Sequence, residues 1–131
     1  MANFHLQIVT PDGAFYNGEC EQLMVRTIDG EVAILANHIA YLTALASGEA
    51  HVTVDGAMRK AACHGGMLSV QNNLVRLVAT SFEWAADIDK TRAEAALDKA
   101  QKRLDSAKDA DELALAQAKI ARALTRIKVA D

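Results

Sequence analysis

Residues 83–96 read Glu-Trp-Ala-Ala-Asp-Ile-Asp-Lys-Thr-Arg-Ala-Glu-Ala-Ala, and the chain changes character within them. All seven glycines, the single proline and all six aromatic residues lie before Asp87, and none follows it. Residues 1–86 carry four basic and eight acidic side chains, whereas residues 87–131 carry ten and nine. Glycine, proline and aromatic residues punctuate and fill β structure, while a breaker-free tract of Ala, Leu, Lys, Arg, Glu and Asp favours helix. Two modules are expected, a β module over residues 1–86 and a helical module over 87–131.

Working back from the junction, Phe4, Leu6 and Ile8 alternate with His5 and Gln7, the period of a half-buried strand. Thr10-Pro11-Asp12-Gly13 then reads as a turn. Further strand-like runs cover residues 21–27, 32–35, 41–46, 50–54, 57–63, 67–70 and 74–80. Asp55-Gly56 is a hairpin signal, because a type I′ turn needs two residues that accept positive φ. His64-Gly65-Gly66 reads as another tight turn. Many short strands with frequent turns indicate a sandwich or barrel.

Downstream, Ala93, Ala96 or Leu97, Ala100, Leu104 and Ala107 recur at spacings of three and four, and Leu113, Ala116, Ile120, Ala123 or Leu124, and Ile127 repeat the stripe. Asp105-Ser106-Ala107-Lys108-Asp109 is a polar hinge, and Asp109 with Glu112 resembles a capping box. An antiparallel helical hairpin is expected, with one continuous helix as the alternative. Twelve of the 45 residues of this module are alanine. A buried Leu contributes about 1.5–3 kcal/mol and an alanine methyl less than about 1, so the helices should persist locally yet grip each other weakly.

At 131 residues, net charge −3 and pI near 5.8, the chain suits one modest core and opposes a nucleic-acid binder, which needs a basic face. No apolar run approaches a membrane span and the N-terminus lacks a leader pattern, so a cytoplasmic protein is expected. Cys20 and Cys63 stand apart from each other and from any metal spacing; two reduced, partly buried thiols are expected. His5, His38, His51 and His64 are scattered with no catalytic motif beside them, so neither a catalytic residue nor a metal site is assigned. Folding the helices back about Lys108 brings Arg92 level with Leu124, between Arg122 and Arg126, with Lys99 near the face of Arg92. That cluster suits a polyphosphate, or equally a solvated helix face paired with neighbouring carboxylates.

Gly30-Glu31-Val32-Ala33-Ile34-Leu35-Ala36-Asn37-His38 and Gly65-Gly66-Met67-Leu68-Ser69-Val70 resemble segments of the epsilon subunit of bacterial F-type rotary ATP synthases, whose members read like Gly-Glu-x-Gly-Ile-Leu-Pro-Gly-His and Gly-Gly-Phe-Leu-Glu-Val there. Ala33 replaces a glycine and Ala36-Asn37 replaces Pro-Gly. Asn accepts the left-handed region better than most residues, which keeps a turn before His38 feasible. The resemblance implies an α+β fold: an N-terminal antiparallel β-sandwich followed by a C-terminal two-helix antiparallel hairpin.

It also implies a non-catalytic central-stalk subunit that couples the catalytic head to the membrane c-ring and inhibits ATP hydrolysis through mobile C-terminal helices. Implied partners are the gamma subunit, through His38, the c-ring, through Glu31, and the catalytic beta and alpha subunits. Both residues also suit ordinary turns. The implied location is the cytoplasmic side of the bacterial inner membrane, peripheral and through the complex, with a monomer when isolated.

Ile88-Asp89-Lys90-Thr91-Arg92-Ala93 is similar to the Ile/Leu-Asp-x-x-Arg-Ala motif through which some bacterial epsilon subunits bind ATP as a regulatory ligand. By that resemblance Glu83, Ile88, Asp89, Arg92 and Ala93 hold the base and ribose, and Arg92, Lys99, Arg122 and Arg126 face the phosphates. Lys99 stands where an arginine is frequent, and an ammonium makes no bidentate contact. No cofactor is required, and regulatory ATP is the expected ligand.

Overall fold

The computed structural model describes residues 2–130. Eight strands form one hydrogen-bonded sheet: β1 (Phe4–Thr10), β2 (Gly13–Cys20), β3 (Gln22–Thr27), β4 (Gly30–Leu35), β5 (Tyr41–Val54), β6 (Ala57–Gln71), β7 (Leu74–Ala79) and β8 (Phe82–Trp84). The strand order is β2-β1-β7-β6-β5-β3-β4, with β8 on β6. All pairs are antiparallel except β1 with β7. Two helices follow, α1 (Lys90–Asp105) and α2 (Ala110–Ala130), joined by a short turn. This is the β-sandwich followed by a helical hairpin.

β5 and β6 are each one long strand, where the sequence suggested two short ones. Their ladder runs from Val54↔Ala57 to Tyr41↔Val70 with an irregularity between Leu45↔Gly66 and Ser47↔His64. The first half of β6 carries Ala61 and Cys63 into the core and the second half carries Leu68 and Val70, so the pair serves both layers of one cluster. Phe4, Leu6, Ile8, Leu23, Ile34, Leu68 and Leu77 are each at most 1% exposed. Every such side chain stabilises the fold by about 1.5–3 kcal/mol relative to an exposed one.

The Asp55-Gly56 turn has φ of 51° and 78°, the left-handed pair that type I′ needs, and Asn37 has φ 64° before His38. His64-Gly65-Gly66 is not a turn. It lies inside β6, where Gly65 and Gly66 have φ 71° and 121°. A Cβ on Gly66 would collide with the Val78 carbonyl oxygen and stand 2.9 Å from Ala79 Cα. The glycines let the strand bend against β7, a use that a local reading cannot separate from a turn. β2 and β8 were not anticipated: Gly13, Asn17 and Gly18 hide the first, and three residues are too few to reveal the second. Cys20 and Cys63 are fully buried rather than partly so, at 1% and 3% exposure, and burial pushes the Cys63 thiol up to about 12.

The junction is pinned by aromatic packing. Phe82 and Trp84 of β8 meet edge to face at 5.5 Å, Phe15 joins both, and the Arg59 guanidinium lies 3.8 Å over Trp84. A single 3-10 turn, Ala85–Asp87, then leads to Asp89 at the N-cap of α1. α2 lies on β5 and β6. No described helix is long and apolar enough to cross a membrane.

Substituting Gly66→Ala is expected to cost about 3 kcal/mol or more, since strain at positive φ and an irreducible backbone clash add. Gly13→Ala, also at positive φ (113°) but with nothing within 4 Å of the new methyl, is expected to cost about 1 kcal/mol. Urea unfolding midpoints at constant slope measure both.

Candidate functional site

The stripe read from spacing is present, and alanine dominates its buried part. Ala93 and Ala100 on α1, and Ala116, Ala123 and Val129 on α2, are 1–3% exposed, and none belongs to the sandwich core. Leu113, by contrast, is 41% exposed, because the seam at the turn end narrows onto alanine. Both helix starts are capped. Asp89 Oδ1 accepts from the Arg92 N–H at 3.1 Å, and Asp109 Oδ1 accepts from the Glu112 N–H at 2.8 Å. Glu112 returns the contact one residue early, accepting from the Lys108 N–H at 2.8 Å. The Asp109 and Glu112 contacts hold the hairpin turn without Gly or Pro.

A groove in two adjoining parts runs from the sandwich–helix junction into the space between α1 and α2. The first, about 390 Å³, is lined by Glu83, Asp87, Ile88, Asp89, Arg92, Ala93, Ala96 and Arg126. The second, about 290 Å³, is lined by Ala96, Lys99, Arg103, Lys119, Arg122 and Arg126. Ala96 and Arg126 border both. Every residue singled out on the helices therefore lies along one groove. Arg92 borders the first part, Arg122 the second and Arg126 both. Arg103 and Lys119 were missed, although Arg103 follows Lys99 by four residues and Lys119 precedes Arg122 by three, which puts them on the same helix faces.

The electrostatics divide along the groove. Three carboxylates line the first part, while the second holds five cations and no carboxylate. Among the described residues Lys99, Arg103, Lys119 and Arg122 enter no ion pair; Asp98 pairs instead with Lys102 at 3.4 Å. Arg126 Nε donates to Glu83 Oε1 at 2.6 Å, each side chain 31% exposed. Such a half-exposed pair is worth on the order of 1 kcal/mol. Beneath it His64 is buried, with Nε2 3.5 Å from Glu83 Oε1. Among the described residues no three His, Cys, Asp or Glu side chains are placed to hold a metal ion.

Glu31 and His38 lie at opposite ends of β4. Glu31 is exposed opposite Arg26, and His38 Nδ1–H donates to Ile39 O at 2.8 Å, its ring 5.9 Å from Tyr41. Each has a bare apolar neighbour, Ile28 at 67% exposure and Ile39 at 78%.

Fold and groove together define a small two-part protein: a β-sandwich carrying a helical hairpin through a charged interface. Two family models match in succession, described as the ATP synthase, Delta/Epsilon chain, beta-sandwich domain over residues 3–85 and the ATP synthase, Delta/Epsilon chain, long alpha-helix domain over residues 86–131. The chain is 37% identical over 131 residues to the ATP synthase epsilon chain of Caldicellulosiruptor bescii, covering 100% of this chain and 96% of that one. It is 42% identical over 130 residues to the epsilon chain of Lacticaseibacillus casei, covering 95% and 91%. Its fold is similar to that of a chain of the Euglena gracilis mitochondrial ATP synthase, with TM-score 0.81 at 20% identity over 92% of this chain and 77% of that one. The chain belongs to the ATP synthase delta/epsilon family, as an epsilon subunit of the F-type enzyme.

Replacing Asp89→Ala is expected to free the Arg92 amide and cost the first turn of α1 about 1 kcal/mol. Hydrogen exchange at Arg92 and Ala93 then quickens about five-fold, while amides in the middle of α2 are unchanged.

Proposed function

We propose that this epsilon subunit works in the central stalk, that its sandwich joins the catalytic head to the rotating c-ring, and that its helical hairpin regulates ATP hydrolysis by sensing ATP in the groove. The subunit itself performs no chemistry. The observation that carries this reading is the division of the groove. A nucleotide has an uncharged hydrogen-bonding end and a polyanionic end, and the groove offers Asp89, Ile88 and Ala93 to the one and Lys99, Arg103, Lys119, Arg122 and Arg126 to the other. Lys99, Arg103, Lys119 and Arg122, which enter no ion pair among the described residues, stabilise phosphates in the space between α1 and α2.

Compaction follows by linkage. ATP bridges both helices, so it favours the folded-back hairpin by the difference in its affinity for the compact and extended forms. With ATP scarce, the weak alanine seam lets α1 and α2 separate, extend along the gamma subunit and set their basic faces against an acidic segment of the catalytic beta subunit, which inhibits hydrolysis. The exposed ends of β4 support two separate contacts for the sandwich, His38 and Ile39 towards gamma, and Glu31 and Ile28 towards the c-ring loops. A stalk subunit without nucleotide is the second reading, favoured by one observation: Glu83 already occupies Arg126.

Calorimetric titration of the isolated chain with ATP separates the two. One-to-one saturable binding is expected, weakened about ten- to a hundred-fold by Arg126→Ala, the loss of a hydrogen bond to a charged group. Arg76→Ala, at an exposed position of β7 outside the groove, leaves it unchanged. Absence of saturable heat at millimolar ATP would leave the nucleotide-free stalk reading.

A further inference from the structure

His64 is a buried titratable group that the preceding chemistry does not use. Ala61 and Cys63 on β6 and Phe82 on β8 face the sandwich core, so strand alternation turns Ala62, His64 and their cross-strand neighbour Glu83 outward, under α2. The His64 side chain is 2% exposed, and neither ring nitrogen has a hydrogen-bond partner. Nε2 stands 3.5 Å from Glu83 Oε1, at the outer limit of a hydrogen bond, and that oxygen already accepts from Arg126. Charged groups face the imidazole from each side. β8 contributes Glu83, and α2 contributes Arg122 and Arg126. On β5 the opposing residue is the uncharged Ser47, and Glu49 on the same face is bound to His51 at 2.7 Å.

We propose that His64 is a proton-operated latch: α2 seats on the sandwich over a neutral imidazole, and protonation of His64 releases the hairpin. An imidazolium here would be a third cation around one carboxylate, buried and with no acceptor of its own, and such a charge is costly to bury. Release of α2 uncovers the outer face of β6 and returns the ring to water. The latch rests on the mobile hairpin proposed above and needs no nucleotide to operate.

Burial, reinforced by Arg126 and Arg122 and opposed by Glu83, holds the docked imidazole down at about 4. The released ring returns to about 6.5. The docked form therefore binds fewer protons, so docking is at full strength above about pH 6.5 and weakens as the pH falls from there towards about 4. Linkage lowers the docked-to-released ratio about ten-fold between about pH 7.5 and about pH 5.5.

The test is a spin-label distance measurement on the full chain, with Arg76→Cys on β7 and Gln117→Cys on α2 labelled; the native thiols are buried. The released population is expected to rise about ten-fold relative to the docked one over that range, and to stay level in a His64→Gln background. Proton NMR of the unsubstituted chain supplies a readout that does not depend on the variant folding: the docked His64 ring is expected to titrate at about 4, well below the ordinary imidazole value of about 6.5. An unchanged distance distribution, a pH response that persists in His64→Gln, or a docked His64 titrating near 6.5 would overturn the latch. ATP calorimetry at about pH 7.5 reports the nucleotide reading separately.

Discussion

Glu83 is the last strand residue but one and the first residue of the groove, and its contact with Arg126 ties the end of the chain to the sandwich. One oxygen of its carboxylate lies between a guanidinium on α2 and the buried ring of His64. The position follows from β8, whose pairing with β6 sets Glu83 opposite Ala62 on the outward face while Phe82 and Trp84 pack inward. A shift of one residue in that register would exchange the faces. The carboxylate would enter the core, and the hairpin would lose its anchor. Arg59 over Trp84 and the Phe15, Phe82, Trp84 cluster hold the register in place.

The two halves of the molecule differ in what holds them. The sandwich buries Phe, Leu, Ile and Val side chains at full density, each worth about 1.5–3 kcal/mol. The hairpin buries four alanines along its seam, which together stabilise it by roughly 3 kcal/mol at about 0.8 per methyl. Its exposed Leu113, Leu115 and Leu124 remain available for a different set of contacts. Strong local helix propensity with little tertiary burial lets each helix survive separation, which the regulatory role proposed above requires. The same weakness gives a single partly exposed ion pair or one buried histidine leverage over the whole arm.

Charge is divided along the groove for a local reason. The acidic residues near the junction cap α1 and close the linker, whereas the basic residues come from the middle of both helices, facing across the seam. Neither group is unusual on its own helix. Lys99 and Arg103 become a phosphate-sized cationic wall only when α2 brings Lys119 and Arg122 opposite.

The sequence by itself determined the modular order, the strands with clean alternation, the Asp55-Gly56 turn, the cap at Asp109 and the alanine stripe, because each depends on neighbours within a few residues. Residues 30–38, 65–70 and 88–93 also carried the family. Tertiary structure alone decided the rest. Whether Gly65 and Gly66 turn the chain or bend a long strand depends on β7 lying against them. The pairing of Arg126 with Glu83 spans 43 residues, and the burial of His64 requires α2 to lie over β6; no periodicity encodes either. A charged side chain's partner is chosen by packing in three dimensions, so the spacing that put Arg122 and Arg126 on one face left open which of them Glu83 would hold.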